Sequence, residues 1–533
     1  MGKAAVEVAA IDVIVVFVYL AFVIAHGFWV GRGGRDVVDY FLAGRLLPWY
    51  LIGFSLYASN MSGASFVGLI GASYSHGMVV FNYEWTATLV LIFFAVFMLP
   101  VFLRAGLFTV PEYLEKRYDR RSRRAYSLFT ILAIMFLDTA GALYAGGLVI
   151  TVVFPVLSLW QASAILALLA GLYTVFGGLR AVVITDAMQA VLMIIGSALI
   201  FFIGLNEVGG WNELLARLDA NQINLIQPVD DDFLPWPGLF GVVLLGFYYW
   251  TLNQYFVQRT LAARSLDDGR KGALLGGLLK LPNVFLMVAP GMIAILLFPD
   301  IGNPDLVFPT LAFDLLPVGL RGLILTALIA AIMSSLDSAL NAAASLVTMD
   351  FVQPLRPRTS ARALLVIGRL VTAAAMVIAA AYAPLIEEFG SLFQYFQSTL
   401  SYIVPPIVAV YLGGIFCKRI TAQAALSAIV GGVLIGVPLF VAKEVTGIWE
   451  ALGLPAIHFT YMSIIMFALA ILILTVVSLC TPAPAADAIA GLTFRRADLA
   501  AGTGAPPGRR RADYRHLAAI LAILMLTAIL FFW

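Results

Sequence analysis

Long apolar runs, each closed by a short polar stretch, recur along the whole chain. Runs of about 20 or more mainly apolar residues, the length an α-helix needs to cross roughly 30 Å of hydrocarbon, fall near 10–30, 47–72, 79–103, 126–153, 159–176, 180–205, 237–258, 272–298, 311–349, 363–383, 389–416, 421–442, 459–480 and 515–533. The pattern predicts an all-α polytopic membrane protein with about fourteen transmembrane helices. Two stretches need division. The run 311–349 is too long for one span and predicts a short helix outside the bilayer, while 159–205 is expected to split at Gly177-Gly178. The run from Ile11 to Val30 exceeds the roughly 7–15 residues of a signal-peptide h-region and no A-x-A-like site follows it, so it reads as a retained helix.

Charge in the connections orients these spans, because cytoplasmic loops collect Lys and Arg. The connection 104–124 holds Arg104, Lys116, Arg117, Arg120, Arg121, Arg123 and Arg124. On the same side fall Arg259, Arg264, Arg270 and Lys271, then Arg356, Arg358 and Arg362, then Lys418 and Arg419, then Arg495, Arg496, Arg509, Arg510, Arg511 and Arg515. The alternate loops are poor in cations and carry Asp230-Asp231-Asp232, Asp300, Asp305, Glu387 and Glu388. An even helix number then predicts both termini outside the cytoplasm. The stretch 483–513, rich in Ala, Pro, Gly and Arg, reads as a flexible cytoplasmic linker.

Composition agrees with a bilayer as solvent: 62% of the 533 residues are hydrophobic and 12% charged, against about 25% charged in a soluble domain. A net charge of +2 gives no footprint for nucleic acid. The excess of Arg over Lys and the abundance of Ala suggest a bacterial source, hence the plasma membrane as location. Cys417 and Cys480 have no paired spacing, and His26, His76, His458 and His516 are scattered with no HExxH pattern. No phosphate loop, metal-ligand cluster or Ser/His/Asp constellation occurs. The chain is therefore expected not to be an enzyme and to need no cofactor, and active transport would draw on an ion gradient.

Candidate chemistry lies where polar groups interrupt the apolar runs, since intramembrane polar residues are costly unless they face a cavity or a partner. Ala58-Ser59-Asn60-Met61-Ser62-Gly63-Ala64-Ser65 places small and hydrogen-bonding residues mid-span. They predict a helix that breaks there and frees carbonyls for a cation, or else a small-residue packing face. In the ninth span, Ser334 and Ser335 supply neutral hard oxygens of the kind that suit Na⁺, although transmembrane serines also simply bond back to the preceding turn. Asp337, on nearly the same face as Ser334, needs a cation or a partner. Glu84 and Lys280 form an opposite-charge pair, either as a structural tie or as donor and acceptor to a polar solute. Asp186 either pairs with Arg180 or binds a cation, and Asp138 has no evident role.

These residues make the chain similar to the sodium/solute symporter family, within it the sodium/glucose and sodium/galactose cotransporter branch. The resemblance runs from about Asp39 to Arg419. It is carried by Asp39-Tyr-Phe-Leu-Ala-Gly-Arg45, Ala58-Ser-Asn-Met-Ser62, Thr109-Val-Pro-Glu-Tyr-Leu-Glu-Lys-Arg117, Gly177-Gly-Leu-Arg-Ala-Val182 with Thr185-Asp186, Asn253-Gln-Tyr-Phe-Val-Gln-Arg-Thr-Leu-Ala-Ala263, and Met333-Ser-Ser335 leading to Thr348-Met-Asp350. It implies a LeuT-like core of two inverted five-helix repeats at 47–205 and 237–416, joined by an extracytoplasmic loop at 206–236. An extra helix with its loop precedes them (1–46), and accessory helices follow (417–533). It further implies Na⁺ as coupling ion, held by the carbonyls of Ala58, Met61 and Ala331 and the hydroxyls of Ser334 and Ser335. A second cation site is expected at Asp186, Asp337 and Ser338, for Na⁺ or a proton. The implied solute site comprises Asn60, Ser65, Tyr83, Glu84, Lys280 and Gln397, gated by Leu69, Tyr83 and Phe393 on one side and by Tyr249 and Trp250 on the other. Ser65, Ala87 and Gly246 stand where the bacterial galactose-transporting branch has Gln, Ser and Asn as polar sugar ligands. The expected function is Na⁺-coupled symport of a sugar or polyol across the lipid bilayer by alternating access. The rivals are a Na⁺- or H⁺-coupled carrier of a non-sugar solute, such as an organic acid, polyol or nucleoside, and a transporter-like sensor or facilitator.

Overall fold

The structure, a computed structural model, describes residues 9–31, 37–389, 391–501 and 513–533, with the side chains of residues 24, 26–31, 37 and 169–178 outside that set. Helices dominate it, and two isolated β-bridges are the only strand-like pairings among the described residues. Nine described helices are long and apolar enough to cross a membrane, or ten when a bent pair is taken as one span. Fewer elements pass than the fourteen expected, for reasons visible in the backbone. The 40-residue segment Ser65–Arg104 joins two expected spans around a turn at Gly77, where φ is 74°, a conformation that favours glycine. The segment Leu159–Val208 is one continuous 50-residue helix where the sequence predicts a division, because glycine within a helix costs about 1 kcal/mol without forbidding it. Within the 311–349 run, a short helical turn at Leu311–Leu315 is separated from the long helix Leu320–Leu346.

The elements that position the site are α1 (Ala10–Gly31), α2 (Trp49–Asn60), α3 (Asn82–Phe93), α4 (Ala140–Val153), α5 (Leu159–Val208), α6 (Leu239–Phe247), α7 (Gln254–Leu261), α8 (Leu266–Lys280), α9 (Leu320–Leu346) and α10 (Leu392–Ile403). Helix α2 packs against both α8 and α5, and α5 packs along α9, so these four form the centre of the bundle. Helix α9 is buried almost all round, as expected of a helix enclosed by others rather than by lipid. Helix α1 docks on α5 and α9. Its Asp12 accepts the backbone N–H groups of Gly319 and Gly322 at 2.9 and 2.6 Å, capping the N-terminus of α9 from another helix.

Two features differ from the sequence expectation. Arg117, Arg259 and Arg270, read as loop cations, are buried. Arg117 donates to the carbonyls of Gly414, Cys417 and Ile420, a demand on five N–H donors that buried arginine must meet. The described part of the expected flexible linker is docked. Asp498 pairs with Arg104, its carbonyl accepts from Arg270, and the Leu492 carbonyl accepts from Tyr113. Residues 502–512 lie outside the described set.

Candidate functional site

Helix α2 ends at Asn60, and Met61 (φ −73°, ψ 70°) leaves the helical path before the chain turns helical again at Gly63. The Ser65 hydroxyl donates to the Asn60 carbonyl at 2.7 Å, and the Ser62 hydroxyl accepts Ser65 N–H at 3.2 Å. Side chains thus replace part of the lost backbone ladder. Opposite the last turn of α2 lies the buried face of α9. Ser334 Oγ lies 3.0 Å from the Ala58 carbonyl and 3.0 Å from that of Ala331, and Ser335 Oγ lies 2.9 Å from the Ala331 carbonyl. Two hydroxyls and two carbonyls from two helices therefore converge, three residues before the break at Met61. This set of neutral hard oxygens fits a small monovalent cation.

One turn away, the residues expected to hold a second cation meet an arginine. Asp186 Oδ2, on α5, accepts from Ser55 Oγ at 2.5 Å, Ser59 Oγ at 3.2 Å and Arg259 Nη2 at 2.9 Å. The same Nη2 donates to Ser59 Oγ at 2.5 Å and to the hydroxyl of Ser338. The partner of Asp186 is thus Arg259 and not Arg180, which is exposed. Asp337 is buried on α9, close enough to Tyr19 of α1 to act on it electrostatically, as Asp186 also does. The Tyr19 hydroxyl accepts from Gln189 at 2.9 Å. Arg259 sits inside the sequence motif that carries the family resemblance, and that is the signal by which it could have been found.

Beside the break, a cavity of about 120 Å³ is lined by Asn60, Ser65, Leu69, Tyr83, Glu84, Gly246, Tyr249, Trp250, Lys280, Phe393 and Gln397, among others. Ala87 is buried but does not line it. At Gly246 an added Cβ would meet only Val90, at 3.5 Å, so there is room for the first atom of a side chain. Lys280 forms an ion pair with Glu84, donates to Asn60 Oδ1 at 2.5 Å and lies 5.7 Å from the Trp250 ring centre. A charge pair placed this way is neutral overall and offers both donor and acceptor.

Aromatic side chains line the cavity on both sides. Toward the acidic loops, Tyr83 and Phe393 meet edge-on with centroids 4.9 Å apart. Phe233, from the acidic 206–236 connection, lies 5.8 Å from Phe393 and stacks on His76 at 3.9 Å. Sequence reasoning did not select Phe233. Its loop is held by Asp231 Oδ1, which accepts the N–H groups of Phe233 and Leu234 at 2.9 and 2.7 Å. Beyond it opens a second cavity of about 380 Å³ lined by Asp232, Gln394, Lys443, Glu444 and His458. Burial, with the nearby Lys443 ammonium, pushes the His458 imidazole down to about 4. Asp305 ties this end together, accepting from Leu392 N–H at 3.1 Å and the Tyr144 hydroxyl at 3.2 Å. Its burial pushes the carboxyl up to about 6 against those two donors. On the opposite side Tyr249 and Tyr255 share a hydrogen bond of 2.8 Å, and the Tyr255 hydroxyl lies 3.2 Å from Asp138 Oδ1. Asp138, without evident role in the sequence, thus anchors the tyrosines beneath the cavity.

Residues 40–436 match the model of the sodium:solute symporter family. The chain is 36% identical over 522 residues to sodium/glucose cotransporter 4 of Danio rerio, covering 89% of this chain and 79% of that protein. It is 34% identical over 533 residues to sodium/glucose cotransporter 1 of Ovis aries, covering 90% and 80%. Among solved structures, a Na⁺-coupled sialic acid symporter in a substrate-bound outward-open state superposes with a TM-score of 0.77 at 23% identity, over 90% of this chain and 99% of that one. Mhp1, a nucleobase-cation-symport-1 family transporter captured in a closed conformation, gives 0.53 at 13% identity, over 85% and 97%.

Proposed function

The chain belongs to the sodium:solute symporter family, and we propose that the solute it carries into the cell with Na⁺ is a sugar or a sugar-like polyol. It is a multi-pass membrane transporter with a LeuT-like helical fold, working by alternating access. The observation that carries the sugar reading is the double duty of one helix end. The residues around the break offer the Ala58 carbonyl to Ser334 and, two positions on, the Asn60 amide to Lys280. A cation bound at Ser334 and Ser335, with the carbonyls of Ala58, Met61 and Ala331, would therefore organise the segment that presents Asn60 to a solute. The relatives' names point to glucose as the kind of cargo, and a neutral polyhydroxylated molecule matches a cavity whose two charges cancel. Asn60, Ser65, Tyr83, Glu84, Lys280 and Gln397 would receive its hydroxyls. Leu69, Tyr83 and Phe393 would shut it from outside, and Tyr249 with Trp250 from inside.

Symport needs no covalent step. Na⁺ stabilises the state in which the solute binds well, and by linkage the solute tightens Na⁺ binding by the same factor, typically about 5- to 150-fold. The membrane potential adds about 2.3 kcal/mol per charge at 100 mV, so one ion suffices to concentrate a neutral solute. The basic loops support a cytoplasmic assignment for their face in a bacterial inner membrane, with both termini on the other side, and the repeats are proposed at 47–205 and 237–416. A second cation at Asp186, Asp337 and Ser338 would have to share or displace the Arg259 guanidinium. An unchanged ion stoichiometry in Asp337→Asn would remove that second site.

Uptake of a panel of labelled sugars and polyols into proteoliposomes, with and without an inward Na⁺ gradient, tests the reading. Accumulation of one sugar that collapses without Na⁺ supports it. Na⁺-driven uptake of a non-sugar solute alone would replace the sugar, and no Na⁺ stimulation at all would sink the whole proposal.

A further inference from the structure

Among the buried polar side chains, Asn283 belongs to none of the sites so far described, yet it touches two of them. Helix α8 ends at Lys280, and the chain resumes its helical course at Asn283 after a break at Leu281-Pro282. A proline there lacks the N–H of a regular ladder and clashes with the preceding turn. The spacing of three residues across the break leaves Lys280 and Asn283 aimed at the same carboxylate. Lys280 pairs with Glu84 Oε2, and Asn283 Nδ2 donates to that same oxygen at 2.5 Å.

The rest of the Asn283 amide faces the helix that carries the candidate Na⁺ seat. Its Oδ1 accepts from the Tyr57 hydroxyl at 3.0 Å, and its Nδ2 lies 3.2 Å from Met61 Sδ. The orientation of the amide is fixed chemically, since a carboxylate only accepts and the opposite end takes the tyrosine proton. Asn283 and Tyr57 are both buried, so water offers neither an alternative partner and moving one displaces the other. Met61 is the residue at which α2 breaks and whose carbonyl belongs to the proposed Na⁺ ligands.

We propose that Asn283 is a positioning residue that couples the Na⁺ seat to the solute site, holding Glu84 in register with Tyr57 and Met61 of the broken helix. The proposal rests on the symport reading and deepens it. When Na⁺ fixes the Met61 carbonyl, the amide carries that constraint to Glu84, which then presents one orientation to a solute hydroxyl. A second route from α2 runs through Asn60 and Lys280, and the test has to separate the two.

A double-mutant cycle on Na⁺ affinity does so and needs no solute. The purified protein is titrated with NaCl against its thermal stability, because an ion that binds only the folded state raises stability with the logarithm of one plus the ratio of its concentration to its Kd, so the dependence on concentration reports the affinity. Glu84→Gln is introduced into the natural protein and into Asn283→Leu. The expected result is a weakening of Na⁺ by about fivefold in the first background, the low end of typical couplings, and by less than about twofold in the second. Equal shifts in both backgrounds would assign the coupling to Lys280 and Asn60 and overturn the proposal. No effect of Glu84→Gln in the natural background would overturn it too. Should Asn283→Leu fail to fold, Tyr57→Phe, which removes one hydroxyl at the same junction, is expected to reduce the Glu84→Gln effect and to leave it unreduced if the proposal is wrong. Failure of the sugar reading would appear separately, in the uptake panel.

Discussion

The Arg259 guanidinium lies 2.9 Å from Asp186 Oδ2, and both side chains are fully buried. Removing one partner of such a pair strands a charge and typically costs about 3–5 kcal/mol. Asp186→Leu and Arg259→Met are each expected to lower the melting temperature of the purified protein sharply. The double variant, which strands nothing, is expected to recover much of the loss. Additive losses would show that the two charges do not depend on each other.

The hydroxyls of Ser334 and Ser335 carry the Na⁺ hypothesis to a direct measurement. Alanine at either position removes one ligand oxygen and one hydrogen bond to the Ala331 carbonyl, the bond itself being worth about 1 kcal/mol. Ser334→Ala and Ser335→Ala are expected to raise the Na⁺ concentration for half-maximal uptake by about tenfold or more, about 1.4 kcal/mol. Their maximal rates at saturating Na⁺ should change less. Unchanged Na⁺ dependence in both variants would move the ion elsewhere.

Much of this site could be read along one helix at a time. The break at Met61 announces itself in a run of small and hydroxyl residues, and Glu84 and Lys280 stand out because a bilayer tolerates so few charges. What escaped the sequence depends on contacts between distant segments. Arg259 follows an apolar run at its basic end and so reads as a loop cation, until α7 folds in behind α2 and delivers it to Asp186. Asn283 is unremarkable until the proline break turns it toward Glu84. Helix boundaries were least legible where glycine was expected to interrupt Leu159–Val208 and does not, since a propensity cost of about 1 kcal/mol does not by itself end a helix.

Asp305 is expected to make the proposed outer closure sensitive to pH. Its burial raises the carboxyl from the ordinary 3.8 to about 6, so the closed arrangement binds the proton more tightly than one in which the carboxyl is hydrated. That advantage is fully present below the ordinary value and is lost as pH rises through about 6. Acid therefore favours closure over α10. Na⁺-driven uptake limited by reopening is expected to slow as the outside pH falls through about 6, and Asp305→Asn should flatten that step. Superimposable pH profiles for the two proteins would exclude Asp305 as its source.

Phe233 is expected to act as a lid over the proposed outer gate, a residue that the reading of the sequence did not include. It stacks on His76 with planes 13° apart and reaches Phe393 and Tyr83 at 5.8 and 6.2 Å, so it covers the edge-on pair that lines the cavity. Aromatic contacts of this kind contribute about 0.5–1.5 kcal/mol each beyond buried area. Phe233→Ala loses two or three of them without touching the Na⁺ seat, and a loss of one or two kcal/mol corresponds to about 5- to 30-fold. The apparent affinity for solute is expected to weaken by that factor through faster release to the outside, with the Na⁺ dependence preserved. Phe233→Tyr, which keeps the ring, should retain most of the affinity. An alanine variant with unchanged solute affinity and release would show that Tyr83 and Phe393 close the site without help, and a variant that lost Na⁺ dependence as well would point to a disturbed fold rather than an opened lid.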